Sequence, residues 1–530
     1  MALELRSSRR NFLAGLGGFA AATRLMPVPA LAFEAGRCPP PSAWRDLARA
    51  VKGGVLRPED PFFADTCRPN NLRYGATLPA GIARCVGAQD VQACLRWVTA
   101  QGMPFAVRSG GHNYAGFSTT PGLLIDMSRM AGVAPVAGSD SLVTVQGGTL
   151  NLLAYKQMER LGRTITHGRC DTVGAAGFLL GGGIGFNMRK FGIGADLMRA
   201  TELVTADGHR VRADATTESD LFWACRGGGG GNFGINTAFT LDTRPVGAVT
   251  VFDLTWSKDL PKVLKLLLTE LASAPDDFGS KIAVTIPSRP EGCAPGPVTL
   301  SILGQLHGST HALKDIFKST WEMVDTGRSQ IKADVPYWQG QDFLTETTFP
   351  YYYQEKSSYM RAASIGDEAI AAMFDWAEKM PATSMPVCFK FFQVGGAIDR
   401  VGRTDTAYVH RGADWLFTVE ANWWSPTDST LQVAQALDWQ QRFYDDVNRR
   451  TGAVGAFQNF SDPSLADWQG AYYGENLARL SEVKRAVDPG MLFTFAQAIR
   501  PAETARIGRN PSPALPGGAR REAEAVERLP

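Results

Sequence analysis

Arg108 to Phe117 reads R-S-G-G-H-N-Y-A-G-F, and the reading of the fold starts there. The apolar run M-P-F-A-V leads into it and predicts a buried strand over Phe105–Arg108. Gly110-Gly111 ends that strand, where the backbone can turn tightly and present consecutive N–H groups. Such groups form a concave nest that suits a phosphate. His112 follows at once, a ring-nitrogen nucleophile beside whatever the nest holds. Taken alone, the ten residues fit an ordinary strand-to-loop turn with an incidental histidine equally well, because a short glycine loop has little specificity.

A second stretch changes the balance. Gly168 to Phe186 reads G-R-C-D-T-V-G-A-A-G-F-L-L-G-G-G-I-G-F. Its small residues leave room for a flat ring system and a pyrophosphate against the backbone. A polar linker is excluded by Phe178-Leu179-Leu180 and Ile184. A Rossmann fingerprint is excluded because Gly183-Ile184-Gly185 lacks the third glycine and no short βαβ unit with a distal acid fits. Further on come V-T-A-D-G (Val204–Gly208), D-L-F-W-A-C-R-G-G-G-G-G-N-F-G-I (Asp220–Ile235) and N-F-S-D-P-S-L-A-D-W (Asn459–Trp468). Y-Y-G-E-N-L-A-R-L and F-A-Q-A-I close the set.

Together these motifs resemble the berberine bridge enzyme-like family, within the flavoproteins of the vanillyl-alcohol oxidase fold, over roughly residues 40 to 500. The resemblance implies an α+β chain: a PCMH-type FAD-binding domain of two α/β subdomains, and an α+β substrate domain whose antiparallel sheet covers the flavin. It implies an FAD bonded covalently to both His112 and Cys170. Around them it implies contacts from Arg108, Ser109, Gly110, Gly111, Asn113, Val173, Gly174, Gly177, Gly181, Gly182, Gly183, Gly185, Ile235, Asn459 and Gln497. A structural histidine and a buried structural thiol stay the plainer readings of His112 and Cys170.

At 530 residues the chain exceeds what one hydrophobic core usually serves, so more than one domain is expected. Ser8-Arg9-Arg10-Asn11-Phe12-Leu13 is a twin-arginine pattern, followed by an apolar stretch and Ala30-Leu31-Ala32, a small-residue cleavage site. Residues 1–32 therefore read as an export signal, and the mature enzyme as bacterial periplasmic or secreted. Losing Arg6, Arg9, Arg10, Arg24 and Glu4 takes the net charge from +2 to −1. That balance gives no case for nucleic acid as a partner. No later apolar run is long enough to span a bilayer. Eight cysteines show no zinc spacing, so no metal is expected; Cys38 with Cys94 is one candidate disulfide.

The FAD domain is expected over 33–245, the substrate domain over 246–452, a returning segment over 453–500 and a disordered tail over 501–530. Val91, Cys94, Leu95 and Val98 predict a helix over Ala88–Thr99. Thr149 is expected to cap a helix reaching Leu161, with Leu153, Ala154, Met158 and Leu161 inward.

The function implied is oxidation of a C–OH or C–N bond of a sugar, phenolic alcohol or related small molecule, by hydride transfer to the flavin. Oxygen or a quinone-type acceptor takes the electrons; Ile193, by its match to the family stretch beside the flavin edge, points away from oxygen. A flavin-carrying binding protein without turnover is the alternative. Ile184 and Phe457 occupy positions where relatives carry a phenol, so another group must take the proton. In W-L-F-T-V-E-A-N-W (Trp415–Trp423), Glu420 shares one strand face with Leu416, Thr418 and Asn422. Burial is expected to raise its pKa towards neutrality, as suits a base, unless the strand is an edge facing water. Tyr114, beside His112, is the second candidate.

Overall fold

A computed structural model describes residues 39–289, 292–294, 296–424 and 428–503. The export signal, Cys38 and residues 504–530 of the tail lie outside them. Cys94 is buried, with its sulfur 3.9 Å from that of Cys85.

The first lobe holds two sheets. In one, Gly81–Arg84, Leu123–Asp126 and Phe105–Arg108 run parallel, with Val55–Leu56 antiparallel at the edge. Parallel neighbours need a crossover, and the helix Ala88–Gln101 supplies it. Its inward stripe is the expected one, Val91, Cys94, Leu95 and Val98, and Gly102 ends it in a left-handed conformation. The other sheet is antiparallel, ordered Val133–Pro135, Leu142–Gln146, Ile235–Asp242, Met198–Val204 and Arg210–Asp214. Its last pair is the hairpin expected around Asp207-Gly208.

One helix departs from expectation. It spans Asn151–Arg160, follows Leu150 and has no side-chain cap. The Thr149 hydroxyl accepts from the Gly132 N–H at 2.9 Å and lies 3.2 Å from the Gly132 carbonyl, so a neighbouring turn has claimed it. Ala154 and Met158 are buried, but Leu153 is exposed.

The second lobe is a seven-stranded, wholly antiparallel sheet. Its order is Gln330–Pro336, Ala248–Trp256, Thr299–Leu306, Phe278–Ile286, Val387–Gln393, Trp415–Trp423 and Tyr352–Met360. Register separates its two faces. Phe389 opposite Val419 and Phe391 opposite Phe417 look to an apolar core shared with the helices Leu260–Glu270, Asp367–Glu378 and Thr430–Thr451. Lys390 opposite Thr418, Ala283 opposite Lys390, and Glu355 opposite Glu420 look the other way, towards the first lobe. Trp415–Trp423 is thus interior to the sheet, and Glu420 faces no open edge.

Residues 456–499 return to the first lobe. Lys484 Nζ donates to the Asn232 carbonyl at 2.7 Å, and the Ile499 N–H to Asn232 Oδ1 at 2.9 Å. The same segment is tied to the second sheet by Lys356, whose Nζ lies 2.7 Å from Asp462 Oδ2 with both side chains buried. Ser464 accepts from that ammonium as well. Breaking a buried ion pair from one side strands the other charge. Asp462→Asn should therefore lower unfolding stability by about 3–5 kcal/mol in a denaturant titration. Arg449→Ala, which breaks an exposed pair with Asp446, should change it by no more than about 1 kcal/mol.

Candidate active site

The two motif loops meet backbone to backbone. A Cβ on Gly110 would lie 2.4 Å from the Gly174 nitrogen, and one on Gly174 would lie 2.3 Å from the Gly110 nitrogen and 2.0 Å from Ser109 Oγ. Only glycine fits at either position. The contact is fastened by Ser109 donating to the Gly147 carbonyl at 2.7 Å and by the His112 ring 2.7 Å from the Thr172 hydroxyl. Asn151 donates to the Cys170 carbonyl at 2.8 Å and holds the second loop in place.

His112 and Cys170 thereby line one cavity of about 790 Å³, towards the upper end of the roughly 300–1,000 Å³ typical of ligand sites. Ser109, Gly110, Gly111, Asn113, Tyr114, Val173, Gly174, Gly177, Gly185, Ile235, Asn459 and Gln497 line it too. Of the residues expected at the cofactor, four stand elsewhere. Arg108 lies behind its loop, donating to the Ser118, Thr66 and Cys67 carbonyls at 2.9, 2.9 and 3.0 Å. Gly181, Gly182 and Gly183 pack against Asn459, Tyr408 and the Phe178 ring, where a side chain would collide. They shape the floor from below instead of touching its contents. Asn113 turns its own loop, its Oδ1 accepting from the Ala115 and Phe117 N–H groups.

The cavity suits an FAD. Its bed is backbone and small residues, and two of its buried acceptors, Gln458 Oε1 and Gln497 Oε1, have no protein partner. Unpaired buried acceptors are costly, and ring or amide N–H groups of a bound ligand would satisfy them.

Burial acts in opposite directions on His112 and Cys170. Burial pushes His112 down to about 4, so its ring is neutral and keeps a lone pair. Burial pushes the Cys170 thiol up to about 11. The Cys170 sulfur lies 3.9 Å from Glu346 Oε2. Burial alone would raise Glu346, but Arg169 and Lys281 beside it win and keep that carboxylate ionised.

Above the cavity lies the polar face of the seven-stranded sheet. Lys390, Glu355 and Phe392 line the cavity; Glu420 does not. Glu420 Oε2 pairs with Lys390 Nζ at 2.7 Å, and Oε1 accepts from the Tyr351 hydroxyl at 3.1 Å. The expected rise in its pKa is overturned. Burial pushes up, but Lys390 and the hydrogen bonds push down harder, and the carboxyl is held below its ordinary range. Tyr114 does line the cavity, edge-on to Tyr353 with ring centroids 5.0 Å apart. Burial, then Glu355, push its phenol well above 10.

Ile193 is wholly buried among Met188, Tyr408 and Phe457 and does not line the cavity. His167 meets the Tyr337 hydroxyl at 2.9 Å, and His410 stacks on Tyr359, both as core residues. Glu355, Lys390, Lys281, Glu346 and Arg169 escaped the sequence reading. Lys390 in V-C-F-K-F-F-Q was legible by the argument applied to Glu420, a charge in an apolar strand.

A family model described as an FAD binding domain matches residues 79–214, and one described as berberine and berberine like matches 456–500. YgaK, an uncharacterized FAD-linked oxidoreductase of Bacillus subtilis, is 29% identical over 462 residues, covering 85% of this chain and 97% of that protein. The carbohydrate oxidase of Microdochium nivale is 28% identical over 465 residues, covering 82% and 90%. Among solved structures, BBE-like 1 of Physcomitrella patens superposes with a TM-score of 0.75 at 24% identity, over 87% of this chain and 100% of that one. A glucooligosaccharide oxidase of Acremonium strictum, described with a 6-S-cysteinyl, 8α-N1-histidyl FAD, superposes at 0.74 with 23% identity, over 87% and 100%.

Gly177 isolates the cavity's contents from the fold. Within 4 Å of a Cβ there, no protein atom stands in the way, yet the residue lines the cavity from the helix Ala175–Leu180. Gly177→Ala should keep or slightly raise the melting temperature while lowering the flavin absorbance per polypeptide. A second outcome follows from His167 and His307, pushed by burial to about 4, and His410, to about 3. Unfolded, each titrates near ~6.5, so between about pH 6.5 and 4 the unfolded chain binds protons the folded chain does not. Stability should fall as pH drops through that window, by up to about 1.4 kcal/mol per pH unit per group. A melting temperature that stays flat across it would contradict neutral burial.

Proposed function

The chain belongs to the berberine bridge enzyme-like family of FAD-linked oxidoreductases, and from that premise we propose a bicovalent flavoenzyme that oxidises a C–OH bond of a sugar or phenolic alcohol. The observation that carries the reading is that His112 and Cys170, on loops some sixty residues apart, line the same glycine-floored cavity. Bound FAD supplies the hydride acceptor, a two-electron oxidant that the side chains lack.

The chain's own residues do the rest. Neutral His112 offers its ring nitrogen for attachment without first losing a proton. Cys170 must lose one, and Glu346 is the ionised group beside its sulfur. Two bonds hold the cofactor whatever the substrate does, which leaves the roof free to be wide. Tyr114 keeps its proton and so acts as a hydrogen-bond donor to the substrate oxygen. Glu420 is a positioning residue, since it acts through Lys390. The charges of the roof and of the loops beside it balance, with Arg169, Lys281 and Lys390 against Glu346, Glu355 and Glu420. A balanced roof favours an uncharged substrate, and sugars and phenolic alcohols are uncharged.

The sugar reading rests on the carbohydrate and glucooligosaccharide oxidases among the relatives, and the phenolic one on a monolignol oxidoreductase of Arabidopsis thaliana. Electrons leave the reduced enzyme to oxygen or a quinone-type acceptor. The twin-arginine pattern at Ser8–Leu13 assigns the enzyme to export, periplasmic or secreted.

Acid-precipitated protein should stay yellow, with one flavin mapped to the peptides of both His112 and Cys170. His112→Ala and Cys170→Ala should each retain the flavin through the other residue, and the double variant should release it. Anaerobic bleaching by cellobiose or by coniferyl alcohol then separates turnover from mere flavin carriage, and names the substrate class.

A further inference from the structure

We propose that Glu355 is the catalytic residue that takes the proton from the substrate hydroxyl, and that Lys390 and Glu420 hold it ready for that role. The assignment rests on the oxidase reading above.

Register brings the three groups together. Glu355 and Glu420 are direct partners on neighbouring antiparallel strands, so both side chains leave the sheet on the same face. Lys390, two strands from Glu355, opposes Thr418, which by two-residue alternation shares that face. Its ammonium lies 3.0 Å from Glu355 Oε1 and 2.7 Å from Glu420 Oε2. One cation thus stands between two carboxylates.

The two carboxylates are not equivalent. Both oxygens of Glu420 are engaged, one by Lys390 and one by the Tyr351 hydroxyl. Among the described residues, Glu355 Oε1 is buried against the Lys390 ammonium without hydrogen-bond geometry, and no hydrogen bond reaches Oε2, the oxygen left for a ligand. Glu355 is 1% exposed. It lines the cavity together with His112, Cys170 and Tyr114, and Glu420 does not. A buried carboxylate left short of donors is unfavourable for the fold. Glu420 already neutralises Lys390, so the fold does not need Glu355 for charge balance at that site. A ligand hydroxyl entering the cavity would supply the missing donor.

That hydroxyl is the substrate's own. In the step, its O–H bond breaks and a new O–H bond forms on the Glu355 carboxylate. The electron pair left on the substrate oxygen becomes the second carbonyl bond as the C–H pair departs, as hydride, to the flavin, which is the oxidant. Lys390 stays paired with Glu420 while Glu355 is protonated. Tyr114 cannot compete as acceptor, because its phenol holds its proton in this setting.

Glu355→Gln and Glu420→Gln, made in the flavin-loaded full chain, test the assignment with two readouts. The first is the anaerobic flavin reduction rate with cellobiose and with coniferyl alcohol; the second is the melting temperature. Glu355→Gln should slow reduction by ~10²–10⁴-fold, with an unchanged flavin spectrum and a melting temperature equal to or above wild type. Glu420→Gln should lower the melting temperature, because it leaves Lys390 with one partner and Tyr351 without its acceptor. Wild-type reduction rates in Glu355→Gln overturn the proposal. So does a joint fall in rate and melting temperature in that variant, which would mark Glu355 as structural. A wild-type flavin that no sugar or aromatic alcohol bleaches removes the oxidase reading itself, and the assignment with it.

Discussion

The close approach of Gly110 to Gly174 is the constraint on which the site depends. With each Cα this near the other's nitrogen, neither position tolerates even a methyl group. Because the loops touch there, the two residues after Gly110 and the four before Gly174 must open in one direction. His112 and Cys170 then face a shared space. The elements behind each loop serve the contact. The strand Phe105–Arg108 delivers the first, with Arg108 clamping it to three carbonyls. The helix Ala175–Leu180 begins as soon as the second has turned.

The roof solves a different problem. A sheet buried on both faces would ordinarily be apolar on both. Here one face is apolar, and the other carries Lys281, Lys390, Glu355 and Glu420. Removing such charges from water is costly, and they persist because each cation touches a carboxylate. The arrangement yields a site that is polar in detail and neutral in sum. Orientation of a hydroxyl is controlled locally, without a field that would draw ions in.

Much of this was legible in the chain. The helix over Ala88–Gln101 was, because its apolar period and its terminal glycine agree. That His112 and Cys170 line one cavity was too, through motifs that carry spacing as well as composition. Thr149 was misread because its hydroxyl had a second suitor, Gly132, distant in no obvious pattern. Alternation placed Glu420 on the correct face, yet strand order decided its role, since only pairing reveals that Lys390 and Glu355 stand beside it. The resemblance put Gly181 to Gly183 at the cofactor, whereas Gly181 and Gly182 face Asn459 and Tyr408 from distant segments and Gly183 faces the nearby Phe178 ring. Contacts within an element leave a period in the sequence; contacts between strands that are not sequential leave none.

The return of residues 456–499 to the first lobe gives the molecule a history as well as a shape. Gln458, Asn459, Phe460 and Gln497 form cavity wall, and Lys356 with Asp462 locks that wall to the sheet. During synthesis the His112 and Cys170 loops are made early, but the wall opposite them leaves the ribosome near the end. A nascent chain therefore has an open cleft where the finished protein has an enclosure. A chain that ended before residue 456 would carry the His112 and Cys170 loops without this part of the cavity wall.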